Sequence, residues 1–357
     1  RPILDNWGYE SALELVGPGQ SYDVRSCYTD WLVASTPDDE VSKYERLKHY
    51  IDQQYQENWG SPWNTAAPDE KPWRLDTEDH VDTFTGRLAA RFIREYDDAR
   101  PFFLQVGFPG PHNPFDATGE FRALHDALDH RLPPGILEQV LAPRAFTTDY
   151  SIDFQDITGM TPDQHRLLQW LYHSKVSLLD AAVGHVVAAL EERGLLEDTW
   201  IVYGSDHGEM LGDHYLIGKI VFYEGAARVP LIVRPPGGLA TGRVSHELTD
   251  QLDASSTILD IAGLEPDIAH ARSLVDPVLD GAGADAGKEW VLSENFLHGM
   301  LRAGRHKLVM DYRDRTPVEL YDLEDDPDEL ENRVDDPQLA AVREKLAAQI
   351  LECVPIT

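Results

Sequence analysis

Residues 200–214 read WIVYGSDHGEMLGDH, and this stretch carries the clearest structural and chemical pattern in the chain. Its apolar and aromatic start predicts a short strand. Asp206 and His207 follow where that strand ends, and Lys219 comes shortly after them. A second apolar run, RVPLIV at residues 228–233, predicts another strand. Ligands of open α/β sheets bind beyond the carboxyl ends of the strands, so we expect a ligand site after the first of these strands.

Helical and strand patterns alternate through much of the chain. Apolar residues at spacings of three and four predict helices over residues 78–97, 162–195 and 250–263, with a further helix near residues 38–58. Residues 101–108 read PFFLQVGF, which is typical of a strand buried on both faces. This order predicts an α/β fold with a mostly parallel sheet between helices.

The pattern changes after residue 273. Residues 339–350 have the apolar spacing of a final amphipathic helix. Three short strands close together in sequence predict an antiparallel sheet: residues 290–294, 306–311 and 319–323. We therefore predict an α/β domain over residues 1–273 and a smaller C-terminal α+β domain over residues 274–357.

The chain is strongly acidic, with a net charge of −32 from 63 acidic and 31 basic residues. Nucleic-acid binding needs a surplus of Lys and Arg, so we expect no nucleic-acid partner and no docking on anionic lipid. No apolar run is long enough to cross a bilayer, and the first residues lack a signal-peptide pattern, which leaves the localisation open. The charge is explained by a solvated acidic surface or by adaptation to high salt.

Four side chains could carry chemistry. Asp206 is a hard oxygen ligand and His207 a borderline nitrogen ligand, so the pair could hold half of a divalent-metal site or could only form a turn. His112 follows residues 101–108 in a proline-rich loop and could protonate a leaving oxygen, or could only bind backbone. Lys219 could stabilise an anionic oxygen or could be a surface lysine. Three weaker candidates are treated as structural: His214, Asn295 and His298.

Three blocks of sequence resemble the sulfatase family. The first combines PFFL at residues 101–104 with GPHNPF at 110–115. The second runs from SDHGE at residues 205–209 through GDH, GK and RVPLIV. The third is ELYDL at residues 319–323 with the DP and EL pairs that follow. Together they resemble the sulfatase and phosphonate monoester hydrolase branch of the alkaline phosphatase superfamily. The Asp-His pair, in place of Asp-Asn, resembles the motif of the branch that holds iduronate sulfatase, choline sulfatase and phosphonate hydrolases.

The resemblance implies an alkaline-phosphatase-like fold and hydrolysis of a small anionic sulfate ester. It implies that Asp206 and His207 bind a divalent metal, with Ca²⁺ preferred and Mn²⁺ or Zn²⁺ as alternatives. It also implies that His112 contacts the ester and protonates the leaving group. Lys219 matches the lysine that holds the sulfate and leaving oxygens.

The chain departs from the family at the nucleophile. Sulfatases use a formylglycine made from the Cys or Ser of a C/S-x-P-x-R motif, and neither Cys27 nor Cys353 lies in such a motif. The family's N-terminal Asp-Asp metal pair and its Lys-x-His motif are also absent. We therefore expect the chain to match the later part of a sulfatase and to be completed by an N-terminal segment or a homo-oligomer partner. By itself it is expected neither to hydrolyse sulfate esters nor to fold stably as a monomer.

Two other functions stay open. One is hydrolysis of phosphonate monoesters or phosphodiesters, since sulfate and phosphonate monoesters differ little in shape and charge. The other is a catalytically inactive sulfatase-like fragment that binds an anion or a partner.

Overall fold

The structure is a computed structural model that describes residues 12, 26–37, 40–49, 76–124, 157, 159–238, 242–280 and 287–354. Internal contacts divide the chain into two compact units. The first comprises Arg1–Arg131 and Met160–Leu195, and the second Leu132–Gly159 and Leu196–Thr357. The domain boundary expected near residue 274 stays a prediction. Within the described part of the chain, no helix is both long and apolar enough to cross a membrane.

The first unit contains four complete α-helices within its described residues. They are α1 (Cys27–Ala34), α2 (Val81–Glu95), α3 (Gly119–Ala123) and α4 (Pro162–Glu192), and residues 43–49 are also helical. Thr161 caps α4 through a reciprocal bond with Gln164. Gly194 follows its last turn at φ 65°, a conformation that suits glycine at a helix C-terminus. The helices predicted over residues 78–97 and 162–195 are confirmed, and the helix expected near residues 38–58 is described only over 43–49.

Helices α2 and α4 pack closely and run in the same direction. Gly86 lies against Ala182, where a Cβ on the glycine would come within 2.2 Å of the Ala182 carbonyl oxygen. Near the C-terminal ends of the two helices, Arg94 and Glu192 form an ion pair. Glycine at position 86 therefore permits the close approach of the two helices.

The first strand pair of the second unit is antiparallel. Strands β1 (Ile201–Gly204) and β2 (Leu231–Arg234) pair with Val202 opposite Val233. Their connection contains only a 3₁₀ turn, Asp213–Tyr215, and the short helix α5 (Glu224–Ala227). This connection lacks the long crossover helix that usually joins parallel neighbours, and it returns the chain in the opposite direction. The expected parallel arrangement is therefore wrong for this pair.

Residues 101–108 form no helix or strand and belong to neither of the two sheets that the structure describes. Their side chains alternate between exposed and half-buried, with Phe103 exposed and Leu104 half-buried. The prediction of a strand buried on both faces is wrong, because only one face of this segment is covered.

The C-terminal part has the predicted α+β architecture. Strands β3 (Trp290–Glu294), β4 (His298–Ala303), β5 (His306–Asp311) and β6 (Thr316–Asp322) form an antiparallel sheet in that order. Helices α6 (Gln251–Ile261) and α7 (Val275–Asp280) precede the sheet, and α8 (Ala340–Cys353) follows it. Leu346 and Ile350 of α8 pack on Leu301, Leu308 and Leu320 of the sheet. The predicted antiparallel sheet and final helix are confirmed, with β4 as an additional strand.

Candidate functional site

The loop after β1 presents two ligand atoms side by side. The Nδ1 hydrogen of His207 is donated to the Gly208 carbonyl oxygen over 2.9 Å. In the neutral imidazole this bond leaves the lone pair on Nε2. That nitrogen lies 3.4 Å from Oδ2 of Asp206, whose side chain is 83% exposed. The other carboxylate oxygen, Oδ1, accepts the His207 N–H at 3.0 Å.

This geometry fits two ligands of one divalent cation. Two ligand atoms that each lie about 2.1–2.5 Å from a metal, at roughly a right angle, are separated by about 3–3.5 Å. The pair supplies only part of a coordination shell. Across the described residues there is no cluster of three or more His, Cys, Asp or Glu side chains able to hold a metal.

The backbone of this loop is fixed from two directions. The side-chain amide of Gln251, the first residue of α6, donates to the carbonyl oxygens of Ser205 and Asp206 over 2.8 and 2.6 Å. The Gly208 N–H donates to the Ala226 carbonyl at 2.8 Å. A Cβ on Gly208 would lie 2.1 Å from the Gly225 carbonyl oxygen, so the position needs glycine. Hydrogen bonds from both sides therefore fix the turn that carries Asp206 and His207.

Glu209 connects this turn to the segment that carries Lys219. Its Oε1 accepts hydrogen bonds from the backbone N–H groups of Gly218 and, at 3.3 Å, Leu211. Burial raises the pKa of Glu209, opposed by those two amides and by the charges of Lys219 and His207. The carboxylate thus lies within electrostatic range of both site residues. Sequence reasoning missed Glu209, and its only signal was its place two residues after His207.

Lys219 itself is half-buried in a strained segment. Ile220, the next residue, has φ 84°, which is unfavourable for a β-branched side chain. The side-chain amide of Asn295 donates to the Ile220 carbonyl oxygen at 3.0 Å. The ring of His214, at φ 54°, stacks on Tyr223 with centroids 3.8 Å apart. Backbone strain of this kind clusters at functional sites. The Asn295 hydrogen bond and the stacking of His214 on Tyr223 are contacts within this strained segment.

His298, the third weaker candidate, is fully buried in β4. Its Nε2 lies 3.6 Å from Oδ2 of Asp311 on β5. Burial lowers the pKa of His298, which Asp311 opposes and Arg313 reinforces. His298 is therefore a buried residue of the C-terminal sheet.

His112 lies in the exposed turn after residues 101–108. Its Nδ1 hydrogen is donated to the Asn113 carbonyl oxygen at 2.7 Å, so Nε2 is the position that would carry an acid proton. His112 belongs to the first unit, whereas Asp206, His207 and Lys219 belong to the second. The second unit brings its three residues into one loop system, and the convergence of His112 with them stays a prediction.

Comparison with known proteins identifies the family. The family profile for sulfatases matches residues 24–264, and the profile for the C-terminal region of N-sulphoglucosamine sulphohydrolase matches residues 212–354. The chain is 30% identical over 356 residues to the choline-sulfatase of Rhizobium meliloti (strain 1021), covering 93% of this chain and 66% of that protein. It is 27% identical over 317 residues to the multifunctional alkaline phosphatase superfamily protein PehA of Trinickia caryophylli, covering 79% of this chain and 61% of that protein.

A solved structure gives the same result for the fold. The phosphonate monoester hydrolase of Agrobacterium radiobacter superposes with a TM-score of 0.68 at 24% identity, covering 88% of this chain and 69% of that chain. The predicted alkaline-phosphatase-like α/β fold is thereby confirmed. The chain spans about half to two thirds of the length of the curated relatives it matches. It belongs to the sulfatase family.

Proposed function

We propose that the complete protein is a sulfuric ester hydrolase that acts on a small anionic sulfate ester with the help of a divalent metal. The observation that carries the proposal is the paired arrangement of Asp206 and His207, whose ligand atoms lie 3.4 Å apart with the histidine tautomer set by its backbone bond. Glu209 joins this pair to the lysine expected to hold the sulfate. Family membership supports the reaction class.

Each of the four side chains then has a defined task. Asp206 and His207 would hold the metal, for which Ca²⁺ is preferred and Mn²⁺ or Zn²⁺ are alternatives. A divalent cation supplies positive charge that polarises a bound ester and favours an oxygen nucleophile. Lys219 would hold sulfate oxygens and stabilise the charge that develops as the ester bond breaks. His112 would give its Nε2 proton to the leaving oxygen. A formylglycine from an N-terminal segment, or from a partner chain, would complete the site.

The role of His112 is tested with sulfate esters that differ in the leaving group. In the complete protein, His112→Ala should lower turnover of an alkyl sulfate by roughly 10²- to 10⁴-fold, the scale of a general acid. The loss on nitrophenyl sulfate should be far smaller, because that leaving group departs without a proton. His246→Ala, at an exposed histidine, is the matched control. Equal losses on both esters would remove the acid role from His112.

A second candidate reaction is hydrolysis of phosphonate monoesters. It is favoured by the similarity to the Agrobacterium radiobacter phosphonate monoester hydrolase and to PehA. Sulfate and phosphonate monoesters carry the same single charge, so the site residues suit both. Comparison of kcat/KM for an aryl sulfate and an aryl phosphonate monoester decides between them. Turnover of neither by the metal-loaded complete protein would favour an inactive binding protein.

A further inference from the structure

The first unit contains a buried cluster of charged side chains that the proposed reaction does not use. It comprises His80, Asp82 and Lys175, each with no exposed side-chain surface, and Asp116 with 5%. The ammonium group of Lys175 lies 3.4 Å from Oδ2 of Asp82 and forms a short bond to Asp116. Asp82 lies in the first turn of α2, and Lys175 lies on α4.

The charged forms of Lys175 and Asp116 stabilise each other. Burial lowers the pKa of Lys175, but Asp116 and Asp82 outweigh it, so the pKa is raised above its ordinary value. Burial likewise raises the pKa of Asp116, and the neighbouring Lys175 and His80 reverse that effect and hold this pKa well below its usual range. The His80 Nδ1 accepts the Asp82 N–H at 3.2 Å. The side chains of Asp82, Asp116 and Lys175 are thus buried in contact with one another, and these contacts fix their positions.

One contact leads from this cluster to the loop of His112. The carboxylate oxygen Oδ1 of Asp82 accepts the backbone N–H of Gly110 at 2.8 Å. The approach is close, since a Cβ on Gly110 would lie 2.5 Å from the other oxygen of Asp82. Gly110 precedes His112 by two residues, and the His112 N–H in turn donates to the Pro109 carbonyl at 3.3 Å. The turn that carries His112 is therefore tied to a buried carboxylate.

We infer that Asp82 and Lys175 are positioning residues for His112: Lys175 fixes the Asp82 carboxylate, and that carboxylate fixes the turn that presents the imidazole. A buried ion pair that served only to join α2 to α4 would not need the Gly110 bond or the close approach at that glycine. The inference rests on the proposed role of His112 as the acid, because positioning matters for proton transfer to the leaving oxygen. A displacement of about 1 Å at such a group can cost about 100-fold in rate.

Kinetic comparison of two glycine variants in the complete protein tests the inference. Gly110→Ala pushes the turn off Asp82, whereas a Cβ on Gly107 meets no atom within 4 Å, so Gly107→Ala is the matched control. Gly110→Ala and Lys175→Met should each lower kcat on an alkyl sulfate by roughly 10- to 100-fold and spare nitrophenyl sulfate. Gly107→Ala should change neither. Equal losses of Gly110→Ala on both esters, or no loss on either, would overturn the positioning role.

A second measurement needs no turnover and covers the case in which Lys175→Met folds poorly. Hydrogen exchange of the Gly110 amide should be about tenfold faster in Asp82→Ala than in the unchanged protein, with exchange in the middle of α2 unaltered. Unchanged protection of that amide would overturn the inference. If His112→Ala itself loses equally on both esters while the Gly110 amide is deprotected as expected, the acid role fails and the link from Asp82 to the turn stands.

Discussion

Nε2 of His207 lies 3.4 Å from Oδ2 of Asp206, and the hydrogen of that imidazole is donated on its opposite side to the Gly208 carbonyl. In its neutral form, with the hydrogen on Nδ1, the ring presents the Nε2 lone pair next to a carboxylate oxygen at the end of β1. A lone pair beside a carboxylate oxygen suits the binding of a cation between the two atoms. The relationship leads to a direct prediction about metal binding.

Replacement of either ligand should weaken metal binding. In the complete protein, we expect Asp206→Ala and His207→Ala each to lower the affinity for the divalent cation by at least about 100-fold, since second-sphere changes alone cost 10- to 100-fold. Titration calorimetry on the metal-free protein measures this. His306→Ala is the control, because His306 also lies near a carboxylate, 3.8 Å from Asp322, which is already bound by Arg305. An equal loss in the control would contradict the assignment.

Glu209→Ala should destabilise the loop between β1 and β2. The change removes the acceptor for the Gly218 and Leu211 amides, and leaving partly buried N–H groups unsatisfied costs about 1–3 kcal/mol. Urea unfolding should show this loss of unfolding free energy. The exposed Glu265 offers the control variant Glu265→Ala, expected within about 0.5 kcal/mol of the unchanged protein. A Glu209→Ala protein as stable as the control would mean that the loop does not depend on this carboxylate.

The sequence predicted the features whose causes are local. Helices α2 and α4 follow from apolar spacing and capping residues, and His112, Asp206 and His207 stand out because their motifs directly follow apolar runs. The apolar spacing of α4 does not show which of the neighbouring residues Lys175 and Val176 is buried. In the structure Val176 is 39% exposed and Lys175 is buried. Lys175 is buried between the carboxylates of Asp82 and Asp116, which lie on other parts of the chain, and periodicity carries no information about such partners.

The sequence pattern also did not predict that β1 and β2 pair in antiparallel orientation. Whether β1 and β2 run parallel depends on how residues 205–230 fold, and that segment is shaped by left-handed residues and backbone bonds rather than by a crossover helix. Glu209 and Gln251 were missed for a related reason. Their partners are backbone groups, which look the same in every sequence.

The buried carboxyl of Glu319 should make stability depend on pH. Burial, with the Glu329 charge adding to it against Lys307, raises the pKa of Glu319 to about 8. The folded chain therefore holds a proton that the unfolded chain has released, so stability falls as pH rises from about 4.5 to about 8. Each unit of difference between the folded and unfolded pKa values changes the free energy of unfolding by about 1.4 kcal/mol.

Glu319→Gln removes this dependence. Relative to the unchanged protein, the variant should gain melting temperature between pH 5 and pH 9, because glutamine releases no proton in that window. Thermal melts across the range, with Glu344→Gln at an exposed position of α8 as the control, check this. A constant difference between Glu319→Gln and the unchanged protein at all pH values would show that the carboxyl titrates near its ordinary value.

Phe103 should drive association of the 357-residue chain when it is studied alone. Its side chain is 61% exposed, in a segment whose residues alternate between exposed and half-buried and which belongs to neither described sheet. Exposed apolar surface of this kind favours association with other chains. Burying a phenylalanine contributes about 1.5–3 kcal/mol, so Phe103→Asp should raise the concentration for self-association by roughly tenfold or more. Sedimentation velocity over a concentration series measures the shift. Phe296→Asp, at a 68% exposed phenylalanine beside β4, should leave association unchanged, and an equal effect of both variants would mean that exposed aromatic surface in general, rather than this segment, causes it.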